Sequence, residues 1–94
     1  MTLLLKDPAA VLDYAVDWGA EYLGSDDLLA ESLWSVDPDE PGGLAIVTSG
    51  FEGRVASVQV GGGIAGRLYR LSNKVVTLSG RTDERSIVLR VEKR

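Results

Sequence analysis

The chain has 94 residues, of which 45% are hydrophobic, enough for one buried core but not for several domains. It contains neither cysteine nor histidine, which removes disulfides, thiolate chemistry and the commonest general base and metal ligand. The formal net charge of −4 argues against a nucleic-acid binder, whose footprint is basic.

Met1–Leu5 is apolar, but Lys6-Asp7-Pro8 stops the run. It is too short for a signal-peptide core or a membrane span, so a soluble chain made without an export signal is expected, with no membrane partner. Residues 1–8 read as a short lead into one domain spanning 1–94. Leu12, Tyr14, Val16 and Trp18 alternate with Asp13, Ala15 and Asp17, which predicts a strand over about 12–18 with its aspartates in water. The competing helix, capped by Asp7 with Pro8 in its first turn, fails because Asp13 and Asp17 share a stripe with Ala9.

Gly19–Asp27 reads as a connecting turn. Its Asp26-Asp27 pair lacks the ligand spacing of a calcium loop and is expected to be solvated. A second strand is expected over about 28–36, with Leu28, Ala30, Ser32, Trp34 and Val36 on one face and Leu29, Glu31, Leu33 and Ser35 on the other. Trp34 is expected in the core, a platform for sugar stacking being the alternative. Asp37–Gly43, with its prolines, glycines and acids, reads as an exposed loop and the most mobile internal segment.

A strand follows over about 44–48, then a turn at Ser49–Gly53, then a strand over about 54–60 with Ala56, Val58 and Val60 inward. The Gly61–Gly66 loop leads into a strand over about 67–78, whose alternation puts Tyr69, Leu71, Asn73, Val75 and Thr77 on one face. A Gly-x-x-Tyr entering a strand is similar to the tyrosine corner of immunoglobulin-like sandwiches, so the Tyr69 hydroxyl is expected to bond the backbone of that loop. Ser79–Asp83 is a turn, and the strand over about 85–92 points Ile87, Leu89 and Val91 inward. The connection is too short for a parallel crossover, so these last strands should form an antiparallel hairpin.

The sum is an all-β fold: a single immunoglobulin-like (fibronectin-like) antiparallel β-sandwich of about 6–7 strands. Trp18, Trp34, Tyr69, Leu71, Leu89 and Val91 should share its core.

Chemistry is harder to place. Gly61–Gly66 lacks the Gly-Lys-Ser/Thr and following helix of a phosphate loop. Asp13 and Asp17 look like a wet strand face, and Arg81–Arg85 like a mixed-charge turn. No nucleophile–base pair emerges. No catalytic, cofactor-binding or metal-ligating residue is therefore expected: the chain does not read as an enzyme, and no cofactor is implied.

Asp7-Pro8, Leu12-Asp13-Tyr14, Asp17-Trp18, Leu23-Gly24, Asp27 and Ser32–Val36 occur in order, followed by Gly62–Gly66, Tyr69, Asn73 and Gly80–Ser86. In this the chain resembles a family of small immunoglobulin-like structural proteins of tailed bacteriophages and prophages, the phage fibre–tail adaptor or tail-associated proteins. The resemblance covers roughly Lys6 to Val91. The acidic Asp37–Gly43 loop is longer and more charged than that pattern, and Leu71-Ser72 departs from it too. Membership implies a non-catalytic assembly module made in the bacterial cytoplasm and built into a virion tail. It also implies that the chain binds other phage tail proteins; any oligomer is expected only on assembly, where many small contacts act together. A carbohydrate-binding or adhesion module is the alternative.

Overall fold

The computed structural model describes residues 3–19 and 27–93. These form seven strands: β1 (Leu3–Lys6), β2 (Leu12–Asp17), β3 (Leu29–Asp37), β4 (Leu44–Glu52), β5 (Val55–Gly62), β6 (Leu68–Thr77) and β7 (Thr82–Val91). They build two sheets, one ordered β1-β7-β6-β3 and the other β2-β5-β4. The fold is therefore an all-β sandwich. Every neighbouring pair is antiparallel except β1 and β7, which run parallel.

Alternation dictates the faces. In β2 the Leu12–Trp18 series turns inward, and Val16 and Trp18 are buried while Asp13, Ala15 and Asp17 are exposed. In β5, Ala56, Val58 and Val60 point the same way; in β6, Tyr69, Leu71, Asn73, Val75 and Thr77 do so. One apolar cluster joins Trp18, Trp34, Tyr69, Leu71, Leu89 and Val91 with Leu29, Leu44 and the β5 residues. This is the core that the periodicity implies. The helix that Asp7 was a candidate to cap is replaced by a turn. The Asp7 carboxylate accepts the Ala9 N–H at 2.8 Å and the Asp7 carbonyl accepts that of Ala10 at 3.0 Å.

Four local differences from the sequence reading have physical causes. The lead 1–8 contains β1, a strand whose partner β7 lies at the far end of the sequence and so leaves no local signal. In β3 the register shifts between Leu29 and Glu31. That bulge changes which face the later residues take, so Leu29 and Trp34 are both buried and Leu28 is exposed. β4 continues through the expected turn at Ser49–Gly53, because it is long and paired with β5 as far as Glu52 opposite Val55. The reversal needs only Gly53 and Arg54, with Gly53 at φ 63° and no non-glycine residue at positive φ. A positive first residue alone is the geometry of a type II′ hairpin turn, which places glycine there. Finally, Thr82–Arg85 is strand rather than turn, since Val76 and Val75 pair with Thr82 and Asp83. The β6–β7 hairpin itself is antiparallel, as its short connection requires.

Candidate interaction surface

Buried polar groups tie the sandwich together and decide which surfaces are left open. Tyr69 is fully buried at the start of β6. Its hydroxyl accepts the Ile64 N–H at 3.0 Å and donates to the Glu40 carboxylate at 2.8 Å. The first bond is the tie to the glycine-rich loop that the sequence predicts. The second brings in the Asp37–Gly43 segment, which closes a turn through Gly43 N–H to the Glu40 carbonyl at 3.0 Å. Arg67 adds a loose ion pair to Glu40 at 3.8 Å. Burial pushes the Tyr69 phenol above its usual value, the Ile64 bond pulls it back and the Glu40 charge raises it again. The phenol thus stays protonated and remains a donor at neutral pH. In the same loop a Cβ at Gly63 would lie 2.7 Å from Val91 Cγ2, so only glycine lets this backbone approach β7.

Lys6 reaches the same end of the molecule from β1. It is fully buried, and its ammonium donates to the Gly62 carbonyl at 2.7 Å and to the Asp7 carbonyl at 2.8 Å. Gly62 belongs to the opposite sheet, so this lysine clamps the two sheets together. Burial lowers its pKa, against the opposing pull of the Asp7 charge. Nothing in the local pattern marks Lys6 for this role.

In the interior the Trp18 indole N–H donates to Asn73 Oδ1 at 2.9 Å, and Asn73 Nδ2 donates to Ser32 Oγ at 2.9 Å and to the Leu33 carbonyl at 3.3 Å. This explains why a polar residue sits on the core face of β6. Arg85 lies 6.0 Å from the centre of the Trp18 ring.

At the other end, Asp27 is buried rather than solvated. It accepts the Ser79 hydroxyl at 2.7 Å, the Ser79 N–H at 3.2 Å and the Leu28 N–H at 3.1 Å. Its carbonyl accepts Arg54 Nε at 3.1 Å. The Ser79 hydroxyl bond, with help from Thr77 and the two amides, holds the carboxyl below its ordinary value, while burial opposes the shift. Its neighbour Asp26, like the rest of 20–26, lies outside the described residues.

The other sequence candidates stay apart. Asp13 and Asp17 are exposed on β2, Trp34 is only 8% exposed in the core, and Gly61–Gly62 is the end of β5. Among the described residues no group of three or more acidic side chains could hold a metal, and no helix is long and apolar enough to cross a membrane. What the molecule presents is strand edges: β1 and β3 bound one sheet, β2 and β4 the other.

Fold and surface define a small all-β sandwich whose ends are pinned by buried polar ties and whose edge strands, among the described residues, carry no further strand. The family model described as podophage GP4 fiber-tail adaptor protein gp77 matches residues 6–90. The chain belongs to that family, a family of structural phage-tail components. No curated protein matches it.

Proposed function

We propose that the protein is a non-catalytic assembly module of a podophage or prophage tail that binds another tail protein. The observation that carries this reading is the family match over residues 6–90. The sandwich supports it: buried ties at both ends give a stiff body, and the strand edges offer backbone groups to a partner. The single core cluster supports treating 1–94 as one domain. The orders β2-β5-β4 and β7-β6-β3 support the immunoglobulin-like reading. With strands lettered in chain order these are B-E-D and G-F-C, the arrangement of immunoglobulin constant-type domains, with β1 beside G instead of B. In this reading the chain is made in the bacterial cytoplasm, uses no cofactor and oligomerises on the assembling tail.

The adhesion alternative is not favoured. Both tryptophans are in the core, and among the described aromatic residues only Phe51 is exposed. Mass spectrometry of purified virions, with a pull-down against neighbouring tail proteins, tests the reading. Presence in particles and capture of a tail protein are expected. Absence from particles with saturable binding to a defined glycan would overturn it.

A further inference from the structure

The four open edges are not equivalent. β1 is only four residues long. β2 carries Asp13 and Asp17, and β3 carries Glu31 and Asp37 together with its bulge. Charges, short strands and bulges are the devices by which natural edges refuse further pairing. β4 has no charged residue from Leu44 to Phe51, and among the described residues its ladder partner is β5 alone, with the Gly53 carbonyl just beyond it accepting the Leu29 N–H at 2.9 Å. Its own register shift falls between Ile46 and Thr48, beyond which Thr48–Glu52 continues in regular pairing. Val47 and Phe51 along this strand are 57% and 43% exposed.

The strands of this sheet are equally one-sided in charge, with Arg54 in the β4–β5 turn rather than on a strand. β2, β4 and β5 contain Asp13, Asp17 and Glu52 and no lysine or arginine. An open cleft of about 380 Å³ crosses this sheet, lined by Asp13, Thr48, Ser49, Gly50, Ser57 and Gln59 among others. Gly50 keeps the β4 side of it low, with open space where a side chain would stand.

We infer that the outer edge of β4 receives an extended, lysine- or arginine-bearing segment of a partner protein as an added strand. The backbone of the segment hydrogen-bonds to β4, and its cationic side chains lie over Gly50, beside Glu52 and toward the hydroxyls and the one carboxylate, Asp13, of the cleft. Main-chain pairing supplies affinity in this mode, and alternate side chains supply choice of partner. That the partner is a tail protein rests on the reading above; the edge and its preference for cations do not.

Two synthetic peptides test it: one alternating valine with lysine and arginine, the other with glutamate at every cationic position. Titrated into the isotopically labelled protein, the basic peptide should bind saturably, protect amides of Thr48–Glu52 from exchange, and weaken as salt rises. The acidic peptide should bind at least tenfold more weakly. Val47→Lys should weaken the basic peptide at least tenfold, while Val47→Glu retains it; Phe51→Lys serves if the first variant melts early. Failure of the basic peptide to bind at millimolar concentration, equal binding of both peptides, or protection mapped to another edge would overturn the inference. Particle incorporation separates the two readings. Val47→Lys protein built into virions at the wild-type level sinks the β4 edge and leaves the adaptor, whereas wild-type protein missing from virions sinks the adaptor.

Discussion

Removing one oxygen, in Tyr69→Phe, isolates the tie between the two loops and the core. The ring stays, so no cavity opens and packing is preserved. Two bonds go: the neutral one from Ile64 at 3.0 Å and the charge-assisted one to Glu40 at 2.8 Å. Neutral bonds contribute about 0.5–1.5 kcal/mol net and bonds to charged groups about 1.5–3. The Glu40 side chain is 20% exposed, so water partly replaces its lost donor and the lower end of that range applies. The loss should therefore be about 2 kcal/mol, more than one neutral bond would give. For a domain of this size that lowers the melting temperature by about 8–16 °C, at 4–8 °C per kcal/mol. Thermal and urea denaturation of Tyr69→Phe, Glu40→Ala and the double variant give the coupling directly. The single losses should not add, with an interaction of about 1 kcal/mol between them. Strict additivity, or a Tyr69→Phe loss below about 0.5 kcal/mol, would show that the phenol does not hold the loop.

Other outcomes follow from the same contacts. Trp34→Ala and Trp18→Ala should each cost about 3–5 kcal/mol by denaturant titration, since both rings are core. Asp27 has a folded pKa below its unfolded one, so it contributes stability above the ordinary carboxylate value that is lost as pH falls through the folded value. Asp27→Asn should accordingly flatten the acid limb of the stability–pH curve measured by melting. For Lys6 the folded state gives up its proton first, so stability should rise with pH through the window below the ordinary lysine value of 10.5, and Lys6→Met should abolish that rise. In the Asp37–Gly43 loop, hydrogen exchange should find Gly43, whose amide bonds the Glu40 carbonyl, slower than its exposed neighbour Gly42.

Period-two alternation carried most of the fold, because β2, β5, β6 and the last residues of β7, Leu89–Val91, bury one face and wet the other. It failed where one inserted residue changes the parity, as at the β3 bulge, and where pairing is remote, as for β1. Tyr69 was legible because its glycine-rich loop lies just upstream. Its Glu40 partner was not, since 29 residues separate them. Asp27 reads as solvated and Lys6 only as the end of an apolar run, because charge is the usual mark of exposure; their burial depends on the Gly62 carbonyl and on Ser79, both distant in sequence. The β4 edge was hidden by Ser49, Gly50 and Gly53, residue types that mark a turn when read in sequence.

The pairing of β1 with β7 sets an order of events during synthesis. Leu3 lies opposite Val88, so β1 has no sheet neighbour until β7 has left the ribosome. Until then β6 also lacks one partner, and the three-stranded sheet has only a partial layer to pack against. The β4–β5 hairpin can form early, but closure of the sandwich waits for the last strand, as long-range pairings are slow to be rewarded. A nascent chain halted before β7 would leave Tyr69 and Leu71 without Leu89 and Ile87, their neighbours across the ladder, and leave the β6 edge unpaired, a surface that chaperones and proteases would meet first.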